Sequence, residues 1–349
     1  MNVLITGGAG YIGALLFDQL LRLDLAGTII GIDIKDRPAL AADCPKLRWI
    51  RADVAEDAWI SQVQDEAIDV VIHCAYQIRE LYGAGRSQQQ RWNIDGARKV
   101  FEFALGRSSV RRLVQLSTIT AYGAFATNSL DRPFTEGMPL AEDTYLYGVQ
   151  KRQVEDLLWQ AYQRLRPPTH VVVLRLASVS GPRGRFGLNR YGLLSTIAGR
   201  FPCLVCGRSD WGRQYLHEDD VVAVLSMLVH AAPATGYQVL NVSPPDFLDA
   251  ATLGRVFNKR VAVLPPALLR ALFALAWHGS RGAVTTPRGA WRMLTYPIRV
   301  NGSRLARDYG YKYRYSSLDA LIAQKGHYAS SLHPIPHLAT DSAETSLIS

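Results

Sequence analysis

Two residues of the chain have the types and the spacing for proton transfer. Tyr147 and Lys151 lie four positions apart in the segment Tyr-Gly-Val-Gln-Lys. On a helix, residues at this spacing share one face and lie one turn apart. A neighbouring ammonium group favours the phenolate and lowers the pKa of the phenol, so that a tyrosine can exchange protons with a substrate hydroxyl near neutral pH. Taken alone, the pair would also fit an ordinary helix surface.

Two hydroxyl groups precede this pair. Ser117 and Thr118 end an apolar run that begins at Arg112 and is typical of a buried strand. Open α/β sheets bind their ligands at the carboxyl ends of the strands. We therefore expect these hydroxyl groups beside the same ligand as the tyrosine and the lysine.

A glycine-rich turn is a candidate cofactor site. Gly7, Gly10 and Gly13 occur in the run Thr-Gly-Gly-Ala-Gly-Tyr-Ile-Gly, between an apolar segment and an amphipathic one. Glycines there permit a tight turn, close approach of the backbone to a pyrophosphate, and packing of the helix on the strand. The free N–H groups and the dipole of a helix N-terminus also favour phosphate. The position between a strand and a helix indicates a dinucleotide site.

An acidic residue stands at the distance that such a site requires. Asp33 ends the second apolar run, 20 residues after Gly13. A carboxylate there accepts hydrogen bonds from both ribose hydroxyls and repels a 2′-phosphate. The sequence therefore predicts NAD rather than NADP, although Lys35 and Arg37 would weaken the discrimination.

The elements that must position these residues alternate along the first half of the chain. Continuous Val/Ile/Leu runs predict parallel strands buried on both faces, and the longer amphipathic segments between them predict covering helices. The predicted strands are residues 2–6, 28–33, 47–51, 69–73, 112–117 and 171–175, and the predicted helices begin near residues 11, 93 and 147. The predicted class is α/β, with a doubly wound parallel sheet.

The alternation loosens after residue 180. Residues 1–180 are predicted to form the dinucleotide-binding domain, with a later strand near 237–241 returning to it. Residues 181–329 are predicted to form a smaller substrate-covering lobe. Residues 330–349 contain Pro, His, Ser and Thr without periodicity, which predicts a flexible tail.

Composition excludes several classes of protein. The 349 residues are 48% hydrophobic and 20% charged, which is typical of a globular chain. No run reaches the ~18 apolar residues of a membrane span, and the first residues do not resemble a signal peptide. Four cysteines do not make a disulfide framework, which favours a cytoplasmic protein. The lone pair Cys203 and Cys206 predicts no metal site, because zinc would need a second pair.

The formal charge of +9 is unevenly distributed along the chain. Residues 1–150 carry −3 and residues 151–349 carry +12. A basic C-terminal half suits an anionic substrate such as a sugar nucleotide, and it equally fits a solvated, arginine-rich surface. The arginines are scattered rather than clustered with aromatic residues, which argues against nucleic acid as a partner.

Taken together, these pieces resemble the extended short-chain dehydrogenase/reductase family, in its NAD-dependent epimerase/dehydratase branch of nucleotide-sugar epimerase-like proteins. The resemblance covers about residues 1–325 and implies a Rossmann-type fold with a smaller C-terminal substrate-binding lobe. The matches follow the family's order in seven places, namely residues 6–13, 53–54, 73–75, 93, 116–123, 174–182 and 213–220.

The resemblance implies a role for each matched residue. Tyr147 would be the acid/base, Lys151 would tune it and hold the nicotinamide ribose, and Thr118 would bind the reacting oxygen. Ser117 is the less favoured substitute for Thr118. The implied cofactor contacts are Gly7, Gly10, Tyr11, Ile12, Gly13, Asp33, Asp53, Val54, Ala75, Asn93, Tyr147 and Lys151. The same resemblance implies a homodimer.

The residues after Thr118 separate the chemistries within this family. Members that eliminate water carry a sequence resembling Thr-Asp-Glu at this point, because elimination needs extra carboxyl groups. Decarboxylating members tend to carry a glutamate at the third of these positions. In this chain Ile119 and Thr120 follow. The resemblance therefore implies epimerisation of a (nucleotide-)sugar through a transient keto sugar, or net oxidoreduction of an alcohol or ketone.

Two matched positions bear on the substrate. Arg213 matches a family arginine that pairs with the substrate diphosphate, for which a guanidinium has the right geometry. Ser178 occupies a position at which many nucleotide-sugar members of the family carry Asn. This departure weakens the assignment of a nucleotide-sugar substrate. Further candidates for phosphate contacts, each of which also fits an exposed surface, are Arg183, Arg185, Arg190 and Arg208.

A second hypothesis comes from the segment Leu264–Trp277, which is apolar nearly all round. Such a helix could line an apolar pocket or touch a membrane surface, and it could also simply pack on the lobe. The protein would then be an NAD(P)-dependent dehydrogenase or reductase of a lipid or sterol-like alcohol or ketone. A third hypothesis, non-catalytic dinucleotide binding, conflicts with the intact Thr118, Tyr147 and Lys151.

Overall fold

Parallel strands form the centre of the protein. The computed structural model describes residues 1–39, 44–185 and 203–331. The strands are β1 Val3–Thr6, β2 Ile29–Asp33, β3 Leu47–Arg51, β4 Val70–His73, β5 Arg112–Thr118, β6 His170–Leu176, β7 Ser178–Ser180, β8 Cys203–Cys206, β9 Gly212–Arg213, β10 Tyr215–His217, β11 Tyr237–Val242, β12 Leu248–Asp249 and β13 Arg260–Val263. Seven of them pair in parallel in the order β11-β6-β5-β4-β1-β2-β3.

Helices connect and cover these strands. The helices are α1 Tyr11–Arg22, α2 Ala58–Gln62, α3 Gly85–Gln90, α4 Gly96–Leu105, α5 Leu146–Leu165, α6 Glu218–His230, α7 Ala250–Val256, α8 Pro266–Gly279, α9 Ser303–Tyr309 and α10 Ser317–Ile322. A π-helical turn, Arg91–Asp95, leads directly into α4.

Burial on both faces of the sheet explains the continuous apolar runs. Every residue of β1, β4, β5 and β6 is buried. On one face Val3 and Ile5 pack with residues of α1 and α6, and on the other Leu4 packs with residues of α4 and α5. A strand covered on both sides needs apolar residues at successive positions rather than at alternate ones.

The order of the strands reverses beside β1. The chain runs from β1 to β2 and β3 on one side, and then from β4 to β5 and β6 on the other. Where the order reverses in such a sheet, a crevice opens beyond the carboxyl ends of the two neighbouring strands, and ligands bind there. Here these ends are Thr6 of β1 and His73 of β4, which are paired in register.

In the described part of the chain, residues after 203 contribute one strand to the large sheet and strands to three two-stranded sheets. β11 pairs in parallel with β6 along its whole length. The two-stranded sheets are β10 with β7, β12 with β9, and β13 with β8. A separate apolar cluster, which includes Trp211, Leu253 and Phe257, lies in this part of the chain.

The predicted α/β, Rossmann-type class is confirmed. Each of the six predicted strands is present, with its ends shifted by at most one residue. Among the described residues, no helix is long and apolar enough to cross a bilayer. Most of the predicted tail lies outside the described residues, since the description ends at residue 331.

Candidate functional site

The glycine turn is packed too tightly for side chains. Gly7 has φ +71°, and a Cβ there would lie 2.4 Å from the backbone nitrogen of Ala75. A Cβ on Gly13 would lie 2.3 Å from the carbonyl oxygen of Gly7. α1 begins directly after Gly10, whose position has no side-chain cap, and the first N–H groups of a helix have no partner within it. The turn therefore presents backbone donors and a helix N-terminus, which is the donor set that a pyrophosphate needs.

We expect Gly13→Ala to weaken NAD binding at least about 100-fold, because its methyl group must push the turn away from α1 and disturb the phosphate donors. Quenching of protein fluorescence on titration with NADH measures this affinity. Gly137→Ala is the matched control, since a Cβ there meets no atom within 4 Å. Equal affinities for NADH in the two variants would contradict the assignment of the turn.

Asp33 ties the end of β2 to the glycine turn. Its carboxylate accepts hydrogen bonds from the backbone N–H of Ala9 and of Lys35, both at 3.0 Å. A carboxylate has about four acceptor positions, so both oxygens can still accept from ribose hydroxyls. The negative charge beside the turn also disfavours a 2′-phosphate at the same place.

The predicted adenine contacts are already engaged with protein groups. Asp53 accepts hydrogen bonds from the guanidinium of Arg91, from the indole N–H of Trp92 and from the N–H of Ala55. Val54 is buried. Asp53 therefore anchors the π-helical turn at 91–95, and its contact with adenine stays a prediction.

Asn93 links the loop after β4 to α5. Its side chain accepts from the N–H of Gln77 at 2.8 Å and donates to the carbonyl of Gln77 at 3.0 Å. It also donates to Gln150 on α5 at 2.9 Å. Buried and fully engaged in this way, Asn93 acts on the loop that contains Ala75.

Tyr11 connects the start of α1 to the second part of the chain. Its hydroxyl donates to Glu218, the first residue of α6, and the same carboxylate accepts from the N–H groups of Arg183 and Gly184. Ile12, the next residue, packs against the apolar cluster on this face of the sheet. Glu218 was not predicted as a site residue, although it lies in the matched segment 213–220.

Tyr147 and Lys151 lie in the first turns of α5, at the edge where β5 ends. Lys151 is buried, and its ammonium donates to the carbonyl of Leu116 at 2.7 Å. Burial lowers the pKa of Lys151 to about 7, an effect that the charge of Glu155 opposes. The lysine can therefore change its protonation state near neutral pH.

One contact at this site had no counterpart in the sequence interpretation. Lys151 Nζ lies 3.7 Å from the ring centroid of Tyr76. The same ring meets the ring of Tyr147 edge-on at 5.7 Å, and the ring of Tyr145 lies 6.1 Å from Tyr147. Tyr76 follows the matched segment 73–75 directly, and this adjacency was the only signal for it.

Thr118 and Ser117 point to opposite faces of the sheet, as consecutive residues of a strand must. The hydroxyl of Thr118 accepts a hydrogen bond from the N–H of Thr120 at 3.2 Å. Leu116, two residues earlier on the strand, points to the same face as Thr118, and Tyr147 packs against the apolar cluster that contains Leu116. Ser117 instead donates to the buried carboxylate of Glu155. The hydroxyl of Ser117 is therefore engaged on the other face, and its predicted substrate contact stays a prediction.

His73 lies under the crevice at the end of β4. It is buried, and its Nδ1 lies 2.6 Å from the hydroxyl of Thr6. Burial, together with the charge of Lys151, lowers the pKa of His73 to about 3. The folded protein therefore keeps His73 neutral at pH values where an unfolded chain would protonate it.

We expect this histidine to make the fold acid-sensitive. Between pH 6.5 and 3 the unfolded chain binds a proton that the folded chain excludes, so stability is lost as the pH falls through this window. Between pH 6.5 and 4.5 the loss amounts to about 2.3 kcal/mol of the free energy of unfolding, and it should be missing in His73→Gln. Urea unfolding at pH 6.5 and 4.5 measures it, and parallel losses in both proteins would contradict this origin.

Arg213 keeps one donor without a partner. Its Nη2 donates to the carbonyl of Met293 at 3.0 Å, whereas its buried Nε has no hydrogen-bond partner among the described residues. A buried unsatisfied guanidinium donor is costly unless a ligand accepts from it. Ser178 is half-buried in β7, which pairs with β10.

The two spare arginines whose side chains are described, Arg183 and Arg208, have different partners. Arg183 lies over the ring of Tyr328, and Arg208 pairs with Asp210. Arg190 lies outside the described residues, and the side chain of Arg185 does as well. Within the described ranges, no group of three or more His, Cys, Asp or Glu residues could hold a metal ion.

An arginine-lined cleft of about 490 Å³ lies between α8 and the segment 286–292. Its cationic side chains are Arg86, Arg270, Arg288 and Arg292, and its walls include Phe273, Trp277 and Trp291. Thr144, three residues before Tyr147, closes one side of the cleft. Arg292 also adjoins Met293, the residue that Arg213 contacts, so the cleft and the arginine share one short segment.

Comparison with known proteins identifies the family of the chain. Residues 3–243 match the NAD dependent epimerase/dehydratase family. The match covers more than half of the chain, so the chain belongs to this family. The resemblance drawn from the sequence motifs is thereby confirmed.

Individual relatives are more distant. The chain is 28% identical over 246 residues to an uncharacterised protein of Mycobacterium tuberculosis, an alignment of 68% of this chain and 61% of that relative. It is 25% identical to UDP-glucose 4-epimerase 2 of Oryza sativa subsp. japonica, covering 94% of this chain and 86% of the relative. The chain thus spans about 61% of the length of the first of these relatives.

A solved structure has the same fold. UDP-glucuronic acid 4-epimerase from Bacillus cereus, in complex with UDP-glucuronic acid and NAD, superposes with a TM-score of 0.68 at 21% identity. The superposition covers 93% of this chain and 97% of that chain. The likeness therefore extends beyond the large sheet to most of the fold.

Proposed function

We propose that the protein binds NAD and epimerises a nucleotide sugar through a transient keto sugar. One continuous set of contacts carries this proposal. Gly7 lies against Ala75, and the next residue, Tyr76, contacts both Tyr147 and Lys151. The glycine turn and the tyrosine–lysine pair therefore border one crevice, which is the arrangement that hydride transfer to a bound dinucleotide requires.

The residues around the turn fit NAD in their donor and acceptor chemistry. The turn at 7–13 and the start of α1 would hold the pyrophosphate, and Asp33 would accept from the ribose hydroxyls of NAD in preference to NADP. Asp53 and Val54 would lie beside the adenine, and Asn93 would position the loop that contains Ala75. NAD held there would supply a reversible acceptor for the hydride of a carbinol carbon.

Side chains of the protein would transfer the proton of the reacting hydroxyl. Tyr147 takes the proton of the reacting sugar hydroxyl as the carbinol carbon loses its hydride, and it returns that proton when the hydride comes back. Thr118 would hold the reacting oxygen from the same face of the sheet. Lys151, one helix turn from Tyr147, would favour the phenolate through its charge and contact the nicotinamide ribose.

Two observations support an anionic substrate that is epimerised rather than dehydrated. The free Nε of Arg213 and the arginine-lined cleft favour a diphosphate or similar anion. No carboxylate follows Thr118, and Glu142, which lies near the start of α5, accepts from the N–H groups of Thr144 and Tyr145. Only its Oε1 is engaged in this way, since its buried Oε2 has no hydrogen-bond partner among the described residues.

The experiment is to incubate the purified protein with NAD and UDP-glucose, UDP-glucuronic acid or dTDP-glucose, and to analyse the products by NMR. We expect inversion at one sugar carbon with no net formation of NADH. Accumulation of NADH, or a product that has lost water, would overturn epimerisation. A thermal-shift measurement with the same sugar nucleotides complements this assay. If none of them raises the melting temperature of the protein, the substrate is a non-nucleotide alcohol or ketone instead.

The organisation of the chain is part of the same proposal. We assign residues 1–180, together with β11, to the NAD-binding domain and residues 181–329 to the substrate-binding lobe. A homodimer is proposed on the family resemblance, and sedimentation velocity tests it.

A further inference from the structure

Helix α8 leaves an apolar face uncovered. Leu268, Leu272 and Leu275 are 44%, 45% and 72% exposed. At 100° per residue, positions i, i+4 and i+7 fall within about 60° of one another, so these three leucines form a row along one side of the helix. Large aliphatic side chains in a contiguous exposed row usually mark an interaction surface.

The opposite side of α8 is held firmly against the protein. Leu269 and Trp277 are buried, and the ring of Trp277 meets the ring of Tyr82 at 5.5 Å. Arg79 donates to the carbonyls of Gly282 and Ala283 just beyond the end of the helix, both at 3.1 Å. The row of leucines therefore faces outward on a fixed helix, away from the arginine-lined cleft.

The chain around α8 is strongly cationic. Residues 250–307 contain ten Lys and Arg residues and no Asp or Glu. Arg260 and Arg281 lie before and after α8 along the chain, and both are exposed. Neither forms an ion pair with any residue in the described part of the chain. An apolar row with unpaired cations on its flanks is complementary to an anionic, apolar surface.

Self-association through this face is disfavoured by the same charges. An isologous interface brings identical patches together, so arginines would face arginines. The row also lacks the exposed Trp and Tyr side chains that dominate specific protein–protein contacts, where leucine is under-represented. A lipid surface needs no such shaped contacts.

We propose that α8 docks the protein on an anionic lipid surface. Leu268, Leu272 and Leu275 enter the boundary between headgroups and acyl chains, and the neighbouring arginines face the lipid phosphates. The helix lies on this surface and does not cross it. The proposal goes beyond the proposed function and does not depend on it.

The test is co-sedimentation of the full chain with lipid vesicles. We expect binding to phosphatidylcholine vesicles that contain phosphatidylglycerol, and little binding to phosphatidylcholine alone. Raising NaCl from about 0.05 to 0.5 M should release most of the protein, because the attraction to the phosphates is screened. The double variant Leu272→Ser/Leu275→Ser should partition about tenfold less strongly, because it loses buried apolar area.

A matched control separates this face from exposed leucines in general. Leu23→Ser/Leu165→Ser removes two leucines that are 47% and 42% exposed and lie at the ends of α1 and α5, and it should bind the vesicles as the wild type does. The melting temperature and NADH binding of each variant report on folding. Absence of binding to anionic vesicles, or equal losses in both double variants, would overturn the proposal. So would a homodimer that dissociates in the α8 variant without any binding to lipid.

Discussion

Replacing Tyr147 by phenylalanine is expected to reduce turnover about 10³-fold while leaving the affinity for NAD nearly unchanged, because the variant loses only the group that moves the proton. The ring itself is retained, so its contacts with Tyr76 and Tyr145 persist. Product formation from the sugar nucleotide identified by NMR gives the rate, and NADH titration gives the affinity.

Tyr162→Phe is the matched control for this variant. Tyr162 lies on the same helix but packs with the cluster on the other face of the sheet. It should retain full activity. Activity retained in Tyr147→Phe would refute the proton-transfer role, whereas a loss of NAD affinity equal to the loss of turnover would indicate that Tyr147 serves binding alone.

The large sheet could be predicted because its strands carry their own signal. β4 and β6 are buried on both faces, so apolar residues follow one another at successive positions in residues 70–72 and 171–174, and the sequence shows this directly. The turn at Gly7 is equally visible, since its positive φ and its contact with Ala75 exclude any side chain. The apolar runs and the positive φ are constraints within one strand or one turn, whereas the contact of Gly7 with Ala75 joins residues 68 positions apart.

The contacts that shape the site could not be predicted in the same way. Ser117 and Thr118 differ in their partners because alternate residues of β5 face opposite layers, and which layer holds α5 depends on the whole topology. The approach of Tyr76 to Lys151 joins segments 75 residues apart along the chain. Asp53 forms an ion pair with Arg91, which lies 38 residues further along the chain. Such pairings depend on tertiary packing, for which composition and spacing provide no signal.

The arginine-lined cleft shows the same limit more strongly. Arg86, Thr144 and Arg270 belong to three distant segments of the chain. The excess of arginine in the second half of the sequence fitted an anionic ligand and a solvated surface equally, and only the fold brings three of these side chains, together with Arg86 from the first half, around one cleft. By contrast, the apolar character of α8 was visible in the sequence, but the side on which its leucines remain uncovered was not.

A buried ion pair beneath the site, between Glu155 and Arg175, gives the second prediction of a large effect, a loss of stability on substitution. Glu155 accepts three hydrogen bonds from Arg175 at 2.8–3.2 Å and one from Ser117. Arg175 in turn donates to the hydroxyl of Tyr122 at 2.8 Å. The two charged side chains are only 6% and 8% exposed. Removing one charge leaves the other buried without compensation, which costs far more than the pair contributes.

Glu155→Gln is therefore expected to lower the free energy of unfolding by about 3–5 kcal/mol, as measured by urea unfolding at pH 7. Glu102→Gln, which breaks the exposed pair between Glu102 and Arg164, should cost less than about 1 kcal/mol. The double variant Glu155→Met/Arg175→Met should regain part of the loss, because no unpaired charge remains buried, although Ser117 and Tyr122 lose their partner. If Glu155→Gln cost no more than Glu102→Gln, or if the double variant were the sum of two large losses, the pair would not be the coupled buried unit inferred from its geometry.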